Sequence, residues 1–365
     1  MHLTKLLASA FSLIGAVALA TAPLAAAEKT LPTSGPFQPI AAELLDRQAF
    51  SQWVSGSESP LSIGGAPIDP AAIVWTATTQ PQLLGIKFGE ARDAGMRHLR
   101  IGLTQPAAVG SVLVRGGGTL SILKPEATYP GNLADDSQWI AAERIVDGGI
   151  SGSHVSAAEV DRESFVLWTL PAGTRTRALR FSHSPTPSDR EQAGWLGGVW
   201  INAEHVANTA PQALVQSTMR DDISRKLVNE SNDREWRTWD NGEQGAALPV
   251  SPEHPAVITL TWPRPLELAG VTLIWAGCSA VEVDAFTGSD QEIIAEASPD
   301  SWQRAGGLSD FDTFYPVPLG PHWLAFEKPL STRALRLRIT ATAKLKNPNQ
   351  GQRFRRPSGL AGRSD

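Results

Sequence analysis

Thr332-Arg333-Ala334-Leu335-Arg336-Leu337 has a near-copy upstream, Thr176-Arg177-Ala178-Leu179-Arg180-Phe181, with five of six residues identical and an offset of 332 − 176 = 156. Apolar Ala, Leu and Phe alternate with Arg. That period of two is the mark of a strand with one buried and one wet face. A strand that recurs with matching material before it predicts a chain made of two copies of one β unit.

The match extends outward from the hexapeptide. Leu99 to Leu103, Pro106 and Val109 to Val114 read as two alternating strands joined by a turn, and Ile258 to Trp262, Pro265 and Leu268 to Leu273 repeat them. The offset there is constant: 258 − 99 = 159 and 271 − 112 = 159. Leu45-Asp46 is followed by Trp53 at the spacing with which Val228-Asn229 is followed by Trp236. This reads as a compact loop around a buried ring, with the Asx oxygen capping its own turn. Asp136-Ser137-Gln138-Trp139 is answered by Asp300-Ser301-Trp302. Insertions between these matches fall where surface loops belong.

The rest of the chain frames the two copies. Residues 1–27 read as a cleaved secretory signal peptide, with Lys5, an apolar run from Leu6 to Ala20 and Ala25-Ala26-Ala27 as the cleavage site. The expectation is an exported protein without a later membrane span. Residues 28–38 read as a linker, 39–206 as the first unit and 228–345 as the second, whose run reads as ending before its last strand. Ile40 to Phe50 is at best a short helix. Thr209, Pro211, Leu214, Met219, Ile223 and Leu227 predict a helical connector over 207–227. Residues 346–365 read as a basic disordered tail, and Lys344 to Asp365 holds six Lys or Arg against one acid. The net charge of −5 supplies no general field for nucleic acid. Cys278 is the sole cysteine, so no disulfide forms within the chain.

These residues resemble the discoidin, or coagulation factor 5/8 type C, family of galactose-binding-like sandwiches. The resemblance rests on Asp46 to Trp53 and Asn229 to Trp236, on the paired alternating runs, on Trp139 and Trp302, and on the two Ala-Leu-Arg strands. It spans residues 40–206 and 225–343. It implies two tandem jelly-roll β-sandwiches and adhesion to a glycan or cell-surface polymer through loops at a sandwich end. It also implies a structural Ca2+ at the opening loop, with Asp46 and Asn229 as candidates. Arg47 and Glu230 replace the family's Gly there, which weakens the turn that would gather six to eight oxygens. The family's cysteine pair is absent as well.

No catalytic constellation stands out. Gly-x-Ser-x-Gly is missing from any strand-turn-helix context, and no His-x-x-x-His or Cys-x-x-Cys spacing occurs. His183, His205, His254 and His322 sit singly and read as surface or capping residues. Asp135, Asp136 and Glu143 read as solvated acids, Gly116-Gly117-Gly118 as a hairpin turn, and Cys278 as a small buried apolar residue. Trp53, Trp139, Trp168, Trp200, Trp262, Trp275 and Trp302 are assigned to the core. The ligand-binding candidates are Trp239 with Asp240 and Asn241, then Trp236, Trp75 and Trp323, because a tryptophan face beside polar turn residues stacks on a sugar ring.

The sequence therefore predicts an exported, non-catalytic binding protein. One rival is the N-terminal accessory part of a larger secreted hydrolase. Another is a structural protein-interaction module.

Overall fold

The computed structural model describes residues 37–63, 66–67, 86–87, 95–116, 118–144, 165–183, 195–219, 221–228, 250–273, 278–289, 291–309 and 322–342. Its strands are, in chain order, β1 (Gln38–Pro39), β2 (Leu45–Val54), β3 (Ser57–Ser59), β4 (Ser62–Ile63), β5 (Ala66–Pro67), β6 (Ile86–Lys87), β7 (Arg97–Ala108), β8 (Ser111–Gly116) and β9 (Thr119–Leu123). There follow β10 (Trp139–Ala141), β11 (Phe165–Thr169), β12 (Arg175–His183), β13 (Trp195–Asn202), β14 (Leu214–Ser217), β15 (Ala256–Leu273), β16 (Cys278–Phe286), β17 (Trp302–Ser309) and β18 (His322–Thr342). Among the described residues only short 3-10 turns interrupt them.

The first unit is a two-layer sandwich. One layer runs β1-β13-β8-β11, with β6 also on β13, and the other runs β10-β9-β12-β7-β2-β3. Alternation builds the layers. Leu99, Ile101 and Leu103 on β7 and Leu120 and Ile122 on β9 point inward and are at most 1% exposed. Val112, Val114, Val166, Leu179 and Ile201 meet them in one core. Burial of such side chains stabilises by about 1.5–3 kcal/mol each.

The second unit has one described sheet, ordered β14-β15-β18-β16-β17. Its strand register repeats that of the first unit. Ile101↔Leu179 becomes Leu260↔Leu335, and Leu99↔Phe181 becomes Ile258↔Leu337. Val112↔Trp168 becomes Val271↔Leu324. Trp139↔Leu123 becomes Trp302↔Phe286. In the first unit β7 and β8 lie in different layers, whereas β15 spans both roles as one long strand with irregularities between Thr261 and Leu266 and between Leu268 and Gly270.

The recurring hexapeptide also does the same work twice. The Thr176 hydroxyl donates to the Leu123 and Ala178 carbonyls at 2.9 and 3.0 Å and accepts from the Ala178 N–H. The Thr332 hydroxyl donates to the Phe286 and Ala334 carbonyls at 2.8 and 3.0 Å and accepts from the Ala334 N–H. Arg180 stacks on Trp139 at 4.9 Å, and Arg336 on Trp302 at 4.3 Å.

Four local expectations are corrected. The connector is not a helix: β14 pairs with β15, flanked by 3-10 turns at Ala210–Gln212 and Asp221–Leu227. Its apolar spacing fits a strand equally well, with Val215 buried and Leu214 exposed. The run from Ile40 to Phe50 is a 3-10 turn leading into β2, and Trp53 lies on that strand rather than in a loop. Gly116 and Gly118 carry the chain from one layer to the other and do not close a hairpin. His183 is buried on β12.

Candidate polar and aromatic face

The six-stranded layer of the first unit turns its second face away from the core. Register places its side chains in rows. Glu58, Trp53, His98, Ser182 and Thr119 form one row, and Ser51, Arg100, Arg180 and Ser121 the next. Such a face should be wet, yet His98, Arg100 and Arg180 are buried. The 124–138 segment helps cover it: Leu133 packs with Leu123, Trp139 and Ala178, and Trp53 and Tyr129 border that cluster.

Burial obliges these polar groups to find partners. Arg100 donates to the Ala49 carbonyl at 2.7 Å, to the Gly131 carbonyl at 2.7 Å and to the Glu58 carboxylate at 2.6 Å. Ser51 donates to the same Glu58 oxygen at 2.6 Å. Arg180 donates to Ser121 and the Leu133 carbonyl at 3.0 Å each and pairs with Asp136 at 2.8 Å. His98 Nδ1 lies 2.8 Å from the Ser182 hydroxyl, and its ring is 5.4 Å from Trp53. Burial, then the charge of Arg180, lowers the His98 pKa to about 4. The neutral imidazole therefore prevails at neutral pH.

Asp46 uses both carboxylate oxygens. One accepts from the Gln48 N–H at 3.0 Å, and the other accepts from the Tyr129 hydroxyl. Burial, then this bond and the Asp46 charge, raises the Tyr129 pKa. A Cβ at Gly102 would collide with Ala49 and with the Tyr129 hydroxyl, so only glycine leaves room for the pair. Among the described residues no group of three or more His, Cys, Asp or Glu is placed to hold a metal ion.

The remaining candidates fall elsewhere. Trp75, Asn229, Trp236, Trp239, Asp240 and Asn241 lie outside the described residues. Trp323 is half-buried on β18, edge-on to Phe37 at 5.6 Å. Asp135 accepts from the Ser137 hydroxyl and the Gln138 amide and caps the turn before Trp139 by accepting from the Ser137 N–H, and these bonds lower its pKa. The Arg100–Glu58 and Asp46–Tyr129 pairs were missed in the sequence because they join residues 42 and 83 apart. The only local trace was the Arg97-His98-Leu99-Arg100-Ile101 alternation.

No family model matches the chain, and no curated protein sequence matches it. Solved structures do. Allantoicase from Saccharomyces cerevisiae is 12% identical with a TM-score of 0.26, over 73% of this chain and 80% of that one. The CBM32-1 and CBM32-2 domains of Clostridium perfringens ZmpB are 9% identical with a TM-score of 0.28, over 84% of this chain and 91% of theirs. The fucolectin of Morone saxatilis serum is 9% identical with a TM-score of 0.22, over 85% of this chain and 95% of that one. Likenesses this low fix neither a family nor a site. By its own layers and registers the chain is an all-β protein of packed antiparallel sheets. No helix among the described residues is long and apolar enough to cross a membrane.

Proposed function

We propose that the chain is an exported, non-catalytic carbohydrate-binding protein built from two tandem discoidin-like units, and that it adheres to a glycan or cell-surface polymer. The observation that carries this reading is the half-open border of the polar face. There the Trp53 and His98 rings lie side by side, next to the Glu58–Arg100 pair. An aromatic plate beside a partly exposed carboxylate acceptor, Glu58, is what a sugar ring with its hydroxyls requires. The CBM32 and fucolectin names among the similar structures agree with a carbohydrate ligand. Function still rests on the site and not on the fold.

The test is a glycan array followed by polysaccharide pull-down with the full chain. Wild type should retain a sugar at millimolar levels, and Trp53→Ala should lose it while keeping its β circular dichroism. Loss in Trp239→Ala with Trp53→Ala unchanged would move the site to the 236–241 turn. No retained glycan in any format would reject the carbohydrate reading.

A further inference from the structure

The five-stranded layer of the first unit also has a second face. Val112, Val114, Val166 and Ile201 point into the sandwich. Leu113, Phe165 and Trp200 alternate with such residues and point the other way, where a free-standing sandwich meets water. They are nonetheless only 3–4% exposed. Phe165 and Trp200 stack at 5.8 Å and 30°, and Phe37 and Leu113 join them in one cluster. The ring at the edge of that cluster belongs to the other unit. Trp323 on β18 meets Phe37 at 5.6 Å and 87°, a T-shaped contact.

The register gives this contact a second meaning. Leu167 stands opposite Leu113, and Trp323 stands opposite Thr272, its counterpart in the second unit. Leu167 and Trp323 thus hold the same place in the two units, and both pack on the same cluster. The units touch through equivalent faces.

The connection between them is held from both sides. Between β13 and β14 run residues 203–213. Ser111 donates to the Glu204 carbonyl at 2.9 Å, and His205 Nδ1 lies 2.6 Å from the Leu170 carbonyl, which ties this end to the first unit. Trp262 donates to the Thr209 carbonyl at 2.9 Å, and Arg225 donates to the Ala213 carbonyl at 2.6 Å, which ties the other end to the second unit. Val206, between the two clamps, packs on the aromatic cluster itself. Domains in one chain move relative to each other by default unless a large apolar interface holds them. Here the contact is apolar and the link is hydrogen-bonded to both units, which favours a single arrangement.

We propose that the two units form one rigid body, keyed by Trp323 against Phe37 and the outer face of the first sandwich. The proposal does not depend on the ligand. Calorimetry and small-angle scattering on the full chain test it. Wild type should melt in one transition and scatter as one compact particle. Trp323→Ala should split the melt into two transitions and enlarge the radius of gyration, while Trp323→Phe keeps the wild-type pattern. Phe37→Ala, on the other side of the contact, should reproduce both changes and covers the case in which Trp323→Ala does not fold. Two transitions already in wild type would overturn the proposal. So would an unsplit melt and unchanged scattering in both alanine variants.

Discussion

Replacing Thr332 with Val removes one hydroxyl, and with it the bond to the N–H of Ala334, a residue with no exposure, and those to the Phe286 and Ala334 carbonyls. A buried polar group without its partner costs about 1–3 kcal/mol. Thr176→Val should cost the same within error, because its hydroxyl makes the matching bonds around Ala178. Urea unfolding of both variants checks this, and unequal losses would break the equivalence of the two threonines. His98 supplies a pH prediction at the same scale. Its folded pKa of about 4 lies below the unfolded value near 6.5. The unfolded chain therefore takes up the proton first as pH falls. Stability that is full above pH 6.5 drains away down to about pH 4. His98→Asn should flatten that part of the acid limb, read from melting temperatures between pH 7 and pH 4.

At the scale of the element, the sheet of the second unit bears a cross-strand ladder of charge. Asp284 on β16 pairs with Arg304 on β17 at 2.9 Å and with Arg336 on β18 at 3.1 Å. Glu282 pairs with Arg304 at 2.8 Å and with Arg338 at 3.4 Å. Arg304 is half exposed, so Arg304→Ala should cost less than about 1 kcal/mol. Asp284 is buried and faces two guanidiniums, so Asp284→Ala should cost clearly more. Equal losses in urea would contradict that ranking. Elements also differ in how far the sequence disclosed them. The hexapeptides and their partner runs were legible because alternation is local and was written twice. The connector was misread because Leu214, Met219, Ile223 and Leu227 recur at a spacing that a helix face shares with a strand and turn. The polar face was hidden because His98 and Arg100 look like ordinary outward residues. Glu58, Trp53 and the 124–138 segment, whose Gly131 carbonyl accepts from Arg100, help to bury them. Trp75, Trp236 and Trp239 fall outside the described residues.

At the scale of the molecule, the two units differ in how tightly they close. Val112 and Val114 are at most 3% exposed, whereas their counterparts Val271 and Leu273 are only half-buried. In the first unit β13 lies along the far side of β8, and among the described residues no strand lies along the matching side of Gly270–Leu273. Less burial means cheaper local opening. Amide exchange should therefore run faster over Gly270–Leu273 than over Ser111–Val114, and similar protection would refute the difference.

The sole cysteine turns that difference into a chemical clock. Cys278 begins β16, is 6% exposed, and burial pushes its thiol up to about 11. Held there as a neutral thiol, it cannot attack an aromatic disulfide reagent until the sheet around it yields. The labelling rate of the native protein then counts openings of the second unit alone, one sulfur per molecule, with no engineered probe.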